Sequence, residues 1–496
     1  MNDHNTPTPT FAVATLGCKV NQSDSEAIGE QMSAAGFAQR DFNEAADIYI
    51  VNTCTVTHMG DRSSRNMISQ ARRHRPGALL VVTGCYAELN PQAVAALPGV
   101  GLVVGNSAKE SLVDAIEAKW NAGTREKVQE ATEPLTRTSG KPVKALPVLP
   151  IDAQHIGSDI DLERVGTDDE PQPDNISPSI LSVEATNATG IARPPLYSRT
   201  RVQMKVQDGC DNRCTYCIVP YVRGGSRSRS IASVVEHVRR KVRAGFQEVV
   251  LTGIHLGDYH PDDDEKLDLG DLIAALLRET EMPRIRVSSL EPEDFRLQWL
   301  ELWRDERMCR HLHLPMQSGS DAILRRMARR YNSARYRAII ETAKYLVPGI
   351  AISTDIITGF PGESDEDFEQ TYRLAADLQF AKAHVFRFSP RQGTPAARMK
   401  GQIKDEVKKA RSERLLTLNE QDMRRFREKF LGETLEVLIE GVKHGHWEGL
   451  TDNYLRVEFE RLPGPADRDW QNTLVKARLL QAVDDGVAGM FVESGR

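Results

Sequence analysis

The sequence predicts an α/β protein in three structured parts: an amino-terminal doubly wound parallel sheet, a central partial (β/α) barrel and a carboxy-terminal small β domain. Three observations carry this prediction. Strand-like apolar runs alternate with helical patterns over residues 11–118, the order that builds a parallel sheet with crossover helices. The same alternation resumes at residue 201 and runs through six units, enough for a partial barrel. From residue 433 the helical periodicity stops and short strands take over.

In the first part the candidate strands are Phe11–Leu16, Asp47–Asn52, Leu79–Thr83 and Gly101–Val104, with helical patterns at Ser25–Ala35 and Asp61–His74. Cys18, Cys54 and Cys85 each follow the carboxyl end of one of the first three strands. In such sheets these ends share one edge, where ligands bind. Three cysteines far apart in sequence should therefore meet in space. A single free thiol at a strand end would say little, because cysteine is a common core residue. Three in succession point to a metal site.

Residues 125–198 change character. Prolines such as Pro142, Pro147, Pro171 and Pro173 recur among acidic and polar residues without periodicity. Such a chain cannot bury enough apolar surface to order itself, so it reads as a linker or insertion.

The central part has strand-like segments at Arg201–Gln207, Glu248–Thr252, Arg284–Ser288, His311–Pro315, Ala351–Ile357 and His384–Phe388. Helical patterns at Ile231–Ala244, Leu267–Glu279, Ala322–Arg330 and Asp365–Leu378 lie between them. The first strand runs into Asp208-Gly-Cys-Asp-Asn-Arg-Cys-Thr-Tyr-Cys217. Cys210, Cys214 and Cys217 stand in one short loop, where thiolates can grip one centre. Structural zinc wants four ligands, and no fourth Cys or His lies nearby in the sequence. Three ligands on a four-iron cluster leave one iron open. Polar, mostly glycine-bearing turns follow the other strands: Thr252–Gly257, Ser288–Pro292, Gln317–Gly319 and Gly359–Gly362. Each alone is an ordinary turn, but four on one barrel face suit a bound cofactor. Cys309 has no partner spacing and reads as a small buried side chain. Residues 404–430 form a charged helical pattern. The strands expected beyond it are Thr434–Ile439, Leu455–Phe459, Leu474–Ala482 and Gly489–Val492.

The chain has 496 residues and a net charge of −6. That charge is uneven. Residues 128–198 carry −6 and residues 432–496 carry −5, so the remainder is positive, with Arg clusters at Arg223-Arg227-Arg229, Arg325-Arg326-Arg329-Arg330 and Arg424-Arg425. This can be a nucleic-acid footprint or simply solvated helix faces. No apolar run approaches a membrane span, and the start is polar. Seven scattered cysteines do not make a secreted disulfide framework. The expected setting is a reducing cytoplasm, with no membrane partner.

The stretch Asp208–Arg229 resembles the radical S-adenosylmethionine (SAM) signature. Its tail, Pro220 to Arg229 with Arg-Gly-Gly-Ser-Arg-Ser-Arg, is similar to the methylthiotransferase branch of that superfamily. Leu16-Gly-Cys-Lys-Val-Asn-Gln22, Asn52-Thr-Cys54 and Thr83-Gly-Cys85 resemble that family's amino-terminal domain. The resemblance implies domains at 10–122 (amino-terminal methylthiotransferase), 123–198 (insertion), 199–431 (six-unit radical SAM barrel) and 432–496 (the small RNA-binding TRAM β-barrel). The negative charge of that last domain suits phosphate poorly, so stacking of bases on Trp447 or Tyr454 is expected instead. The resemblance further implies two 4Fe–4S clusters, one on Cys210, Cys214 and Cys217 and one on Cys18, Cys54 and Cys85. SAM is placed at Tyr216, Gly253, Glu291, Gln317 and Asp355, with Tyr216 beside its adenine. The implied partners are tRNA, an electron donor such as a flavodoxin or ferredoxin, and a sulfur donor. In the implied reaction, SAM cleavage at the first cluster makes a radical that removes hydrogen, and the second cluster presents the sulfur.

Family branches differ in substrate: isopentenyladenosine in tRNA, an aspartate of a ribosomal protein, or threonylcarbamoyladenosine at position 37 of tRNA. Leu251-Thr-Gly-Ile-His-Leu-Gly257, His311-Leu-His-Leu314 and Phe388-Ser-Pro-Arg-Gln-Gly-Thr-Pro395 are most similar to the last branch. A non-catalytic RNA-binding iron–sulfur protein is the alternative of another class.

Overall fold

The computed structural model describes residues 8–132 and 200–493, apart from 57, 262, 263, 265, 466 and 467. Most of the expected insertion lies outside these residues. The chain divides into two compact units, one on each side of position 198.

The first unit contains β1 (Thr10–Thr15), α1 (Lys19–Ala34), β2 (Ala38–Gln39), β3 (Ile48–Thr53), α2 (His58–His74), β4 (Leu79–Gly84), α3 (Cys85–Leu89), α4 (Pro91–Ala95), β5 (Val100–Val104) and α5 (Leu112–Thr132). The five strands form one parallel sheet in the order β2-β1-β3-β4-β5. Two residues of β2 add an edge strand that alternation alone does not show. The central strand β3, Ile48-Tyr-Ile-Val-Asn-Thr53, is buried throughout, as a strand covered on both faces must be. One face packs Phe11, Ile48, Ile50 and Val81 against Ile28, Met32 and Leu112. The other packs Tyr49, Val51 and Val82 against Ile68, Ala71 and Val94. Helices on both faces make the sheet doubly wound. The strand order reverses between β1 and β3, so their outgoing loops part and leave a crevice at the carboxyl edge.

The second unit begins with β6 (Arg201–Lys205), β7 (Gln207–Asp208), α6 (Val219–Arg223), β8 (Arg227–Ser228), α7 (Ile231–Arg243), β9 (Glu248–Thr252), α8 (Leu269–Glu279), β10 (Arg284–Val287), β11 (His311–His313), α9 (Asp321–Arg326), α10 (Ser333–Leu346), β12 (Ala351–Thr358), α11 (Asp365–Leu378) and β13 (Lys382–Arg387). Strands β6, β9 and β10 pair in parallel, as do β11, β12 and β13. Single parallel bridges, Ile285 to Met308 and Ser289 to His313, join the two sheets. The result is six parallel strands in chain order, the expected partial barrel. The expected first strand is interrupted: β7 leaves it to pair antiparallel with β8. Helix starts follow local chemistry. Ser230, Asp268, Ser320, Asn332 and Ser364 each cap one, the side chain accepting a backbone N–H.

Helix α12 (Asp405–Glu428) leads to β14 (Thr434–Lys443), β15 (His446–Thr451), β16 (Arg456–Phe459), β17 (Leu474–Val483) and β18 (Gly486–Val492). These five close into a barrel in the order β14-β15-β16-β18-β17. Its turn after β15 packs on the amino-terminal ends of the parallel strands. Arg284 and Arg286, at the start of β10, donate to the carbonyls of Leu450, Thr451 and Asp452. Both also pair with the buried Glu248, at 3.2 Å and 2.7 Å. Burial pushes the Glu248 carboxyl up, but Arg286 and Arg284 beside it outweigh burial and hold it at about 2. The Arg286 guanidinium lies 3.9 Å from the Tyr454 ring centroid, and the His311 ring meets that ring edge-on at 4.4 Å. Tyr454 is thus engaged by the barrel beneath it, which corrects the expectation that it offers a face to RNA. Trp447 packs against the small barrel's own core.

Candidate active site

The three-cysteine loop leaves β7 through Gly209, at φ +75°. A Cβ there would lie 1.8 Å from the Gly225 carbonyl oxygen, so only glycine passes. The Cys210 amide donates to Gly224, and the Cys217 amide closes a turn on the Cys214 carbonyl at 3.1 Å. Thr215 fastens this turn to the end of α9. Its amide donates to the Met327 carbonyl and its hydroxyl to the Arg326 carbonyl, satisfying groups that a helix end leaves open. Burial pushes the Cys217 thiol up to about 12, with a further rise from the neighbouring Cys214 and Cys210 charges. Cys214 is also raised by burial, against the pull of Arg329. Cys214 and Cys217 therefore do not ionise side by side unless something positive joins them. A metal centre supplies that charge and displaces the protons. The donor set therefore fits an iron–sulfur cluster.

The surrounding turns place the other expected residues. Tyr216 meets Phe360 edge-on, with centroids 6.4 Å apart. Glu291, beyond β10, forms an ion pair with Arg329, which also bonds Glu293 at 3.1 Å and the Cys214 sulfur at 3.2 Å. Gln317 adopts φ +56°, and its amide donates to the Asp355 carbonyl at 2.8 Å. The Asp355 carboxylate faces His313 Nε2 at 3.1 Å, while Ser289 holds His313 Nδ1 at 2.6 Å. The bareness of Gly253 has a reason nearer than a ligand. A Cβ there would meet the Gln207 side-chain oxygen at 2.8 Å. Gln207 is buried. It accepts from the His255 amide and donates to the Gly209 carbonyl and the Ser226 hydroxyl, so it ties the cysteine loop to the turn after β9. Glu291 thus stands beside Cys214, Gln317 joins Asp355, and Gly253 connects through Gln207.

Sequence reasoning missed Arg329, His255 and Asp294. His255 Nε2 sits 2.6 Å from Asp294 and 3.2 Å from Asn212. Burial opposes a charge on His255, but hydrogen bonds to Asp294 and Cys210 win and raise it to about 10. The only sequence signal was position: both His255 and Asp294 lie just beyond strand ends.

In the first unit, Cys18 follows β1, Cys54 follows β3 and Cys85 opens α3 after β4. These strands are neighbours, so the three cysteines share one edge. Burial, then the charges of Cys85 and Cys18, push Cys54 up to about 11. Cys85 and Cys18 therefore both lie near Cys54. Gly17, at φ +95°, has no room for a Cβ, which would lie 2.8 Å from the Cys54 sulfur. Asn21 donates to the carbonyls of Leu16 and Thr53, binding the first two cysteine loops together. Ser64 exchanges hydrogen bonds with the Cys54 backbone, and Asn106 Nδ2 approaches the Cys85 sulfur at 3.5 Å. Among the described residues, no three Cys, His, Asp or Glu side chains close on a point where a single metal ion would sit.

No helix among the described residues is long and apolar enough to cross a membrane. Residues 204–375 match the model of the Radical SAM superfamily, and residues 10–105 match Uncharacterized protein family UPF0004. The chain is 34% identical over 490 residues to the threonylcarbamoyladenosine tRNA methylthiotransferase MtaB of Bacillus subtilis, covering 97% of this chain and 96% of that one. It is 31% identical over 476 residues to the tRNA-2-methylthio-N(6)-dimethylallyladenosine synthase of Acetivibrio thermocellus, covering 95% and 88%. Among solved structures, a radical SAM methyltransferase, TsrM, from Kitasatospora setae aligns with a TM-score of 0.52 at 15% identity, covering 79% of this chain and 77% of that one.

Proposed function

Given that the chain belongs to the radical SAM methylthiotransferase family, we propose that it converts N6-threonylcarbamoyladenosine, beside the tRNA anticodon, to its 2-methylthio form. The observation that carries this is the pair of thiol triads, each at the carboxyl edge of its own parallel strands. Cys210, Cys214 and Cys217 hold one 4Fe–4S cluster; Cys18, Cys54 and Cys85 hold a second. SAM is taken up beside Tyr216, Gly253, Glu291, Gln317 and Asp355. Bound there, the clusters and SAM supply the one-electron and sulfur-transfer chemistry. The protein's own residues orient and seclude it. Glu291 and Asp355 accept hydrogen bonds from a polar, cationic ligand. Gln207 and Thr215 fix the cysteine loop against the barrel, and Gly17 lets Cys18 and Cys54 approach. Residues 10–122 carry the second triad and 199–431 the first. Residues 432–496 act as a TRAM domain, and 123–198 are an insertion between them. An electron donor such as a flavodoxin or ferredoxin and a sulfur donor complete the system, in the cytoplasm.

The substrate choice is supported by the B. subtilis relative and by one from Thermotoga maritima with the same name, 34% identical over 457 residues. The test is anaerobic turnover with tRNA carrying threonylcarbamoyladenosine, read by nucleoside mass spectrometry and 5′-deoxyadenosine release. About eight irons per chain are expected, one four-iron cluster per triad. Cys214→Ala should abolish SAM cleavage. Cys54→Ala should cleave SAM without methylthio product. Product on isopentenyladenosine tRNA or on a ribosomal protein would overturn the substrate, and iron without SAM cleavage would favour a non-catalytic RNA-binding protein.

A further inference from the structure

We propose that Arg329 sets the reduction potential of the centre on Cys210, Cys214 and Cys217, through a direct N–H bond to the Cys214 sulfur. The inference rests on the reading of that triad as cluster ligands.

The side chain is placed with care. Helix α9 ends at Arg326, and Ala328 turns the chain through a left-handed conformation at φ +59°. That conformation costs a residue with a Cβ about 1–2 kcal/mol, and strain of this kind gathers at functional sites. The Arg329 amide then closes on the Leu324 carbonyl at 2.9 Å. The guanidinium points back under the cysteine loop, its side chain only 2% exposed. Nη1 donates to Cys214 Sγ at 3.2 Å, and Nη2 meets Glu291 and Glu293. The Tyr331 ring lies beneath it, 5.1 Å away. Nε is buried without a hydrogen-bond partner.

A purely structural ion pair would explain Glu291 and Glu293 but not the sulfur. A neutral thiol accepts weakly, so aiming a buried guanidinium at it gains little. A cluster thiolate carries negative charge and accepts strongly. Each electron that enters the cluster adds negative charge, so the N–H···S bond and the fixed cation favour the reduced form. The two carboxylates act in the opposite sense. Arg329 is therefore a positioning residue for charge: it touches a ligand sulfur, not the substrate.

The test uses the full chain with Cys18, Cys54 and Cys85 all changed to Ala, so that one cluster is read alone. Iron content and an EPR-monitored redox titration are the readouts. Arg329→Gln should still load iron, with the midpoint moved negative by about tenfold in the reduction equilibrium, about 59 mV for one electron. Arg329→Lys keeps the charge but cannot span the sulfur and both carboxylates, so it should shift the same way by less. Glu293→Gln should shift the midpoint positive. An unchanged midpoint in iron-loaded Arg329→Gln, or in Arg329→Lys if the Gln variant loses iron, overturns the proposal. So do shifts of the same sign in the Arg329 and Glu293 variants, which would mark a general loosening of the loop. A parent protein without iron overturns the reading of the triad itself.

Discussion

Gly84 shows how much a single position carries. It adopts φ +95° and ψ −169°, a region essentially reserved for glycine. A Cβ there would lie 2.4 Å from the Thr53 carbonyl oxygen, on the strand that delivers Cys54. Gly84→Ala should cost about 1–3 kcal/mol for the backbone alone, and more for the clash. The loss should be local to the Cys18, Cys54 and Cys85 edge. Thermal unfolding should fall by several degrees, and reconstituted iron should drop by about half while SAM cleavage persists. Full iron in this variant would mean that the edge relaxes around the new methyl. Cys309 shows the converse: burial raises its thiol and the Arg286 charge pulls against that. It sits at the opposite strand ends from the cysteine loop, in the place of a small core residue.

At the scale of elements, the turn after β15 and the starts of β9 and β10 form one buried ionic layer. Glu248 faces Arg284 and Arg286, and none of the three side chains is more than 3% exposed. Removing one member of such a group strands the other charge, at a cost of about 3–5 kcal/mol. Arg286→Met should therefore lower stability by that order, and the small barrel should loosen from the parallel strands with it. The layer also has a pH signature. The folded Glu248 pKa is depressed to about 2 from an ordinary 4.5. Its contribution is fully present above the unfolded value and is lost as pH falls from about 4.5 towards about 2. That shift is worth about 3 kcal/mol. Glu248→Gln should be less stable at neutral pH and should lose less on acidification than the parent. Equal acid slopes in urea titrations of the two proteins would remove Glu248 from the account.

For the whole molecule, the question is what separates the two triads in the chain. Residues 128–193 hold an acidic, proline-rich sequence, aperiodic beyond the end of α5 at Thr132 and too poor in apolar surface to build a core of its own. Replacing them with a short flexible linker should leave iron content and SAM cleavage unchanged. Loss of both would show that this stretch packs on one of the units. The charge distribution points the same way. The positive excess lies in residues 199–431, which carry +7 and the triad of Cys210, Cys214 and Cys217, whereas residues 1–127 carry −2; a polyanion such as tRNA would be drawn to the positive part.

Periodicity and cysteine position were enough to find the doubly wound sheet, the six parallel strands and the strand ends at which the cysteines stand. These features repeat: a strand buried on both faces reads as an apolar run, and a ligand at a strand end falls just after it. Elements that lack such a signature were not visible. The two-residue β2 is too short to alternate, and β15, His446-Trp-Glu-Gly-Leu-Thr451, becomes a strand by closing a barrel. The functional contacts missed were those between residues distant in sequence. Arg329 looked like one more member of an Arg-rich helix, and its meeting with Cys214 spans 115 positions. Tyr454 looked like a platform for bases until Arg286 and His311 filled its faces. Gly253 reads as a close-approach turn, and the sequence does not show that Gln207, 1% exposed, lies against its bare side. Local pattern places a residue on an element; which groups then face it depends on how the strands close, and that closure is a property of the packed chain.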